Sequence, residues 1–260
     1  MDEPIYQLDG DTVIAGPYAR GPWDEHAQHG GATAAILMRA FEQLDDGGAD
    51  LQLARATYEL IRRAPLGELS LSAQVVRPGR RIQLLEATLR APDGTEVVKA
   101  RALRVARSPL SAGDRPKPPA PGPDTLEPEL TFAAGRQMYV GGAIELRFAR
   151  GHFFERGPAF AWLRLTRPLV AGEQPSPLQR VMGAADFPNG ISAELSWDEH
   201  LFINPDLTVY LEREPRGEWI GLDARTRIVQ GGIGLAQAEI YDLEGRIGRC
   251  VQSLYVSPRG

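Results

Sequence analysis

The chain has only one cysteine, Cys250, among its 260 residues. A single cysteine excludes an intramolecular disulfide and a cysteine-rich metal site. The histidines, His26, His29, His152 and His200, do not have the spacing of metal ligands. The sequence therefore predicts no metal and no redox cofactor, and a lone thiol fits the reducing environment of the cytoplasm.

Positive charge and long apolar runs are also scarce. The formal net charge is −5, which argues against a nucleic-acid-binding protein because such proteins present a basic surface. No stretch approaches the roughly 20 uninterrupted apolar residues of a membrane span. The segment Met1–Val13 is acidic and has no apolar core, so we do not expect a signal peptide. These features predict a soluble, globular, cytoplasmic protein with one large domain or two of ordinary size.

What the sequence does contain is an internal duplication. The segments Ala54–Val105 and Pro205–Val256 follow the same pattern, and Pro65–Glu68 of the first aligns with Pro215–Glu218 of the second. Their separation of about 150 residues is too long for a solenoid repeat and indicates a duplicated domain.

Only the second copy carries polar residues at certain positions. Where the first copy has Ala54 and Arg101, the alignment places Asn204 and Gln252 in the second. When only one of two duplicated domains has such polar residues, the pattern indicates a single active site on a pseudo-symmetric scaffold.

A proline-rich segment separates the two copies. Arg107–Pro128 has almost no apolar residues, and such a composition favours an extended, semi-rigid chain that cannot fold by itself. We therefore predict a first half over residues 1–106, a linker over residues 107–130 and a second half over residues 131–260.

Each half contains one predicted helix. Gly31–Gln43 is apolar nearly all round, which is typical of a buried helix. Pro177–Ala185 is the second helix, with Ser176 suited to its N-cap. Asp186 stands at the C-terminal end of that helix, and Pro188–Gly190 is expected to break it.

Alternating strands make up the rest of each half. The predicted strands are Thr12–Ala15, Thr57–Arg63, Leu69–Val76, Ile82–Leu89 and Glu96–Val105 in the first half, and Tyr139–Phe148, Leu207–Arg213, Trp219–Val229, Ile233–Tyr241 and Arg246–Val256 in the second. Consecutive strands joined by tight turns form an antiparallel sheet. The sequence predicts an α+β fold in which an antiparallel sheet wraps one long buried helix in each half.

This pattern resembles the double-hotdog acyl-CoA thioesterases of type II. The resemblance rests on His29-Gly30-Gly31, Val76–Arg80, Ala185-Asp186-Phe187, Phe202–Thr208 and Val251-Gln252-Ser253, in that order along nearly the whole chain. It implies a duplicated (double) hotdog fold, an acyl-CoA or related acyl-thioester substrate, and further association into a homodimer.

The resemblance also implies a catalytic set. The family has an Asp at the end of the second helix, a Ser or Thr on the following strand and a Gln on the last strand. Asp186 and Gln252 match the first and last of these, but Asn204 occupies the hydroxyl position. Thr208 would share a strand face with Asn204 if the strand is regular. Either Asn204 substitutes, or Thr208 supplies the hydroxyl, or the activity is altered.

Thioester hydrolysis assigns a role to each group. We expect Asp186 to accept the proton of the attacking water, and Gln252 and Asn204 to hold that water. Gly30 and Gly31, preceded by His29, would bind the oxyanion because N–H groups at a helix start have no internal partners. The resemblance places this site between the two halves.

Two other functions stay open. The missing hydroxyl at Asn204 leaves room for a non-catalytic acyl-thioester or lipid binder with a degenerate site. A hotdog dehydratase or hydratase needs a His and a carboxylate facing the substrate, and His29 keeps that alternative alive. Arg77, Arg80 and Arg81 are interpreted as a solvated hairpin tip rather than a site for CoA phosphates.

Overall fold

A computed structural model of the protein describes residues 3–110, 113, 115–129 and 135–259. Within these residues, thirteen strands form one antiparallel sheet that wraps two main helices. The helices are α1 (Gly30–Glu42), α2 (Pro177–Ala185) and the single turn α3 (Pro188–Ile191). None of the helices in the described ranges has the length and apolar character that a membrane crossing requires.

The strands divide between the two halves as predicted. In the first half they are β1 (Tyr6–Asp9), β2 (Thr12–Ala15), β3 (Leu51–Glu59), β4 (Gly67–Arg77), β5 (Ile82–Arg90) and β6 (Glu96–Ala106). In the second they are β7 (Ile144–Arg150), β8 (Ala159–Leu165), β9 (His200–Ile203), β10 (Asp206–Leu211), β11 (Ile220–Val229), β12 (Ile233–Asp242) and β13 (Gly245–Pro258). The spatial order is β1-β2-β4-β5-β6-β3-β10-β13-β12-β11-β8-β7, with β9 paired to β13.

The halves meet where β3 pairs antiparallel with β10, with Thr57 opposite Thr208. The duplicated hotdog architecture is therefore confirmed: each half contributes one helix and its own run of strands. The pairing also corrects the sequence alignment. Thr57 faces Arg101 in β6, whereas Thr208 faces Val251 in β13. The counterpart of Gln252 is thus the buried Ala102 and not Arg101, whose exposed side chain pairs with Glu86.

Close contact between α1 and α2 fixes the centre of the molecule. A Cβ added to Gly31 would lie 2.5 Å from the carbonyl oxygen of Gly183, and one added to Gly183 would lie 2.7 Å from the Tyr139 hydroxyl. Glycine at position 31 lets the backbones of α1 and α2 approach each other directly, and glycine at position 183 leaves room for the Tyr139 hydroxyl. Most side chains of α1 are buried in the same core, as its apolar pattern predicts.

The C-terminus of α1 meets the N-terminus of α2. Ser176 caps α2 by accepting the Gln179 N–H at 3.1 Å, and its hydroxyl donates to Glu42 at 2.6 Å. The Gln179 amide donates to the other Glu42 oxygen at 2.7 Å. Burial raises the pKa of Glu42 above its usual range, against the opposing effect of these two hydrogen bonds. A carboxylate from the first half therefore binds the helix start of the second.

Several predicted element bounds are wrong. The strand predicted at Thr57–Arg63 is β3, which begins at Leu51 and ends at Glu59, opposite Asp206, where its partner β10 begins. The start of Tyr139–Phe148 is a wide helical turn over Tyr139–Ala143, since Gly141 adopts a φ of 75°. α2 ends at Ala185, ahead of Pro188–Gly190 as expected, and Pro188 then begins the separate helical turn α3.

The predicted linker packs along the second half. Its carbonyl groups accept hydrogen bonds from the Trp162 indole at Pro121 (2.8 Å), from Arg147 at Pro123 (3.0 Å) and from the Arg246 N–H at Pro116 (2.9 Å). Residues 111, 112, 114 and 130 of the linker, and 131–134 of the predicted second half, lie outside the described residues. A segment without a core of its own is thus held by backbone carbonyls.

Candidate active site

Asp186 lies where α2 ends against the start of α1. It is the C-cap of α2, and only 7% of its side chain is exposed. Its Oδ2 accepts the Gly31 N–H at 3.0 Å. The first N–H groups of a helix lack internal partners and carry the positive end of the helix dipole, so they favour a carboxylate. The second half thus supplies an anion to the helix start of the first half.

Two side-chain amides bind the other Asp186 oxygen. Asn204 Nδ2 donates to Oδ1 at 2.7 Å, and Gln252 Nε2 donates to the same oxygen at 2.8 Å. Gln252 is fully buried on β13, and its Oε1 accepts no hydrogen bond within the described part of the chain. The structure therefore brings together Asp186, Asn204 and Gln252, as the sequence predicts.

His29 makes the remaining close contact with Asp186. Its Nδ1 lies 3.1 Å from Asp186 Oδ2, and 10% of its side chain is exposed. The imidazole stacks on the rings of both Tyr139 and Phe187, each with its centroid 4.9 Å away, and these two rings contact each other at 6.2 Å. These contacts fix the ring plane and direct Nδ1 at the carboxylate.

The tautomer of His29 follows from its neighbours. The Gly31 N–H lies 3.0 Å from both His29 Nδ1 and Asp186 Oδ2. If Nδ1 were unprotonated, its lone pair would face a carboxylate lone pair at 3.1 Å. With the proton on Nδ1, the His29 and Gly31 N–H groups both donate to Asp186 Oδ2. We therefore assign the Nδ1–H tautomer, which leaves a lone pair on Nε2.

The two glycines play different parts from those expected. Gly31 cannot bind an oxyanion as expected, since its N–H is engaged by Asp186. Gly30 N–H donates to no protein group that the structure describes, so it is the free donor at this helix start. A Cβ at Gly30 would lie 2.6 Å from Asp186 Oδ2. Glycine at position 30 therefore leaves the room that the Asp186 carboxylate needs to reach the start of α1.

Thr208 does not join this cluster. Its hydroxyl donates to Thr57 at 3.3 Å across the junction of the two halves. The expectation that Asn204 and Thr208 share one regular strand is wrong, because Asn204 lies between β9 and β10. The Asn204 amide contacts Asp186, and the Thr208 hydroxyl does not.

The cluster forms part of the wall of a cavity of about 770 Å³ between the halves. His29, Gly30, Asp186 and Asn204 all line it. Apolar side chains from both halves also line the cavity, namely Leu60, Val98, Val140, Phe153, Phe187, Leu195 and Phe202. A thioester and its acyl chain have the apolar character that such a wall requires. No three His, Cys, Asp or Glu side chains of the described residues converge as a metal site would need.

The sequence matches two family models, one in each half. Residues 19–105 match the acyl-CoA thioesterase N-terminal domain, and residues 114–256 match the acyl-CoA thioesterase C-terminal domain. The chain belongs to the acyl-CoA thioesterase family. The comparison with curated protein sequences gives no match.

Solved structures share the fold of this thioesterase. A hot-dog-fold protein of unknown function from Alicyclobacillus acidocaldarius has a TM-score of 0.74 at 18% identity, over 98% of this chain and 96% of that one. An acyl-CoA thioesterase II from Mycobacterium marinum has a TM-score of 0.68 at 16% identity, over 98% and 94%. A 12:0-ACP thioesterase from Umbellularia californica reaches 0.52 at 11% identity, over 95% and 93%. The double-hotdog fold is therefore confirmed.

Sequence reasoning missed the aromatic residues that orient His29. Phe187 directly follows Asp186 and was available from the same motif. Tyr139 carried no such signal, since it precedes β7 and reaches the site only through the packing of its turn; its hydroxyl donates to Gly183 at 3.0 Å. Burial, together with the charge of Asp186, raises the pKa of Tyr139 well above its usual range, so this phenol stays neutral.

Proposed function

We propose that the thioesterase hydrolyses its acyl-CoA substrate with His29 as general base and Asp186 as the group that orients it. The observation that supports this is the contact of 3.1 Å between His29 Nδ1 and Asp186 Oδ2 at the wall of the cavity. An imidazole whose Nδ1–H is held by a carboxylate presents Nε2 as a proton acceptor, which is how paired His and Asp residues activate nucleophiles.

Asp186 is poorly placed to activate water by itself. Its two oxygens already accept hydrogen bonds from Gly31, Asn204 and Gln252 and contact His29. A carboxylate offers about four lone-pair sites, so this one has none to spare. The role first expected for Asp186 passes to His29, and Asp186 stabilises the imidazolium that forms.

The reaction then runs in two steps. His29 Nε2 takes a proton from water as the water oxygen attacks the thioester carbon, and the Gly30 N–H donates to the resulting oxyanion. When the tetrahedral intermediate collapses, the carbon–sulfur bond breaks and His29 returns the proton to the departing thiolate. The products are a free acid and CoA thiol.

Asn204 and Gln252 act as positioning residues. Both amides bind Oδ1 and so direct Oδ2 at His29 and Gly31. Asn204 thus stands in the family's hydroxyl position but binds the carboxylate instead of a water. This use of an amide supports an active site over a degenerate one.

Thiol release from acyl-CoAs of increasing chain length tests the function. We expect release by the wild type, and by Thr208→Val within about twofold, because the Thr208 hydroxyl lies on Thr57. Cys250 will not add to the signal, since burial raises the pKa of its thiol to about 12. Tight binding of acyl-CoA without thiol release would instead favour a degenerate binder. Hydration of an enoyl-CoA without thiol release would favour the hydratase alternative.

A homodimer is also proposed, on the family resemblance, and a cytoplasmic location is proposed on the single cysteine, Cys250. The elution volume of the purified protein measures the oligomeric state.

A further inference from the structure

The mouth of the cavity is rich in arginine. Arg62, Arg63, Arg156 and Arg259 all line it, together with three carboxylates, those of Asp24, Glu155 and Asp198. Arg63 pairs with Asp24 at 3.0 Å, whereas Arg156 and Arg259 form no salt bridge with any described residue. The Arg259 Nε donates to the carbonyl of His200 at 3.2 Å. Guanidinium groups without a carboxylate partner at a cavity mouth attract phosphate groups.

A tryptophan pair stands at the same mouth. The rings of Trp23 and Trp197 are in contact, with centroids 4.8 Å apart and planes tilted by 31°, and Trp197 packs edge-on against Phe202 at 4.5 Å. Trp23 remains 49% exposed. The Arg259 guanidinium lies 5.8 Å from the centre of the Trp23 ring. A half-exposed indole that packs against Trp197 and has a guanidinium over its ring offers an aromatic base a surface next to a phosphate site.

We infer that this mouth binds the nucleotide end of coenzyme A, with the adenine on Trp23 and the phosphates on Arg156 and Arg259. The inference rests on the proposed function, because it requires the thioester carbon to lie at His29 in the same cavity. An acidic carrier protein would also be attracted by the arginines, but it has no base to place on Trp23. The aromatic surface therefore favours coenzyme A as the thiol.

The hairpin arginines do not share this role. Arg77, Arg80 and Arg81 are exposed near the tip between β4 and β5, and none of them lines the cavity. The Arg77 side chain donates to the carbonyl of Ile82 in its own hairpin. The solvated hairpin tip predicted from the sequence agrees with this placement, and Arg77 provides a matched control.

Substrates that lack the nucleotide test the inference. The same acyl group is presented on CoA, on 3′-dephospho-CoA and on pantetheine, and kcat and KM are measured for each. We expect Trp23→Leu and Arg259→Gln each to raise KM for acyl-CoA about five- to hundredfold, with kcat unchanged. Neither variant should change the kinetics with acyl-pantetheine, and Arg77→Gln should behave as wild type with all three substrates.

Binding of adenosine 3′,5′-bisphosphate gives an independent readout. It should compete with acyl-CoA and quench tryptophan fluorescence in the wild type, and Trp23→Leu should abolish the quenching. Equal kcat/KM for acyl-CoA and acyl-pantetheine in the wild type would overturn the inference while leaving the hydrolysis intact. Faster turnover of an acyl carrier protein than of acyl-CoA, weakened by Arg259→Gln but not by Trp23→Leu, would also overturn it. No thiol release from any substrate would instead contradict the proposed function.

Discussion

Replacing Asp186 with Asn is expected to lower kcat for thiol release by about a hundred- to ten-thousandfold without unfolding the protein. The neutral amide cannot stabilise an imidazolium on His29. The fold should tolerate the change, because the new amide oxygen can face Gly31 and His29. The new NH₂ then faces Asn204 and Gln252, whose amides can turn over to offer oxygens. The melting temperature and thiol release of the same sample measure both effects.

A double variant separates the two possible roles of Asp186. If Asp186 acts through His29, then His29→Gln alone should cost a similar factor, and the double variant should lose little more than the more damaged single variant. If the two losses instead multiply, Asp186 and His29 act independently, and Asp186 activates water directly. Thr208→Val, which alters a hydroxyl outside the cluster, is the control for general effects of substitution.

Replacing Asp242 with Ala is expected to destabilise the protein by about 3–5 kcal/mol. Asp242 is fully buried and binds Arg213 through both oxygens, at 2.7 and 2.5 Å. It also accepts the N–H groups of Arg216, Glu244 and Gly245 at 3.0, 2.9 and 3.2 Å. The substitution leaves a largely buried guanidinium and three N–H groups without their acceptor. Denaturant unfolding at neutral pH measures the loss.

A neighbouring ion pair and the pH provide the controls. Arg216, between β10 and β11, and Glu244, between β12 and β13, pair at 3.2 Å but are exposed, so Glu244→Ala should cost no more than about 1 kcal/mol. Burial acts to raise the pKa of Asp242, but the hydrogen bonds from Arg213 and the backbone outweigh it and hold the pKa below its usual range. Its contribution is full above the ordinary carboxyl pKa of about 4 and is lost as the pH falls further. The gap between wild type and Asp242→Ala should therefore narrow in acid, and a gap independent of pH would contradict this account.

Local signals predicted the helices well. The bounds Pro177–Ala185 of α2 and the cap at Ser176 agree with the structure, because capping and the first-turn proline depend only on neighbouring residues. The predicted strands Ile82–Leu89 and Glu96–Val105 pair as a hairpin, and so do Ile233–Tyr241 and Arg246–Val256. Alternation and tight turns are local signals as well. These local features were enough to indicate the double-hotdog fold.

Register could not be predicted in the same way. The alignment set Gln252 against Arg101, whereas strand pairing makes its counterpart Ala102. The pairing of β3 with β6 shifts between Leu53 and Arg55, and that of β12 with β13 shifts between Ile240 and Tyr241. A shift of one residue moves a side chain to the opposite face of the sheet. The contrast between the halves is therefore sharper: the second half has a buried Gln where the first half has a buried Ala.

The contact between His29 and Asp186 was beyond sequence reasoning for a different reason. It depends on how closely α1 and α2 cross, which Gly31 permits because a Cβ there would lie 2.5 Å from the Gly183 carbonyl oxygen. No spacing along the chain encodes that distance. The same crossing explains why only the Gly30 N–H is left as an oxyanion donor, since the Gly31 N–H donates to Asp186.

The Glu42 contact gives the helix pair a second meaning. Both ends of the pair are built alike, with a carboxylate from one helix bound at the start of the other, but Glu42 does not line the cavity that Asp186 lines. The Glu42 end therefore only holds the two helices together, whereas the Asp186 end belongs to the active site. Substitutions at the Asp186 end can alter the chemistry while the Glu42 contact keeps the helices in place. A fused duplicate has this advantage over two identical subunits, in which both ends must change together.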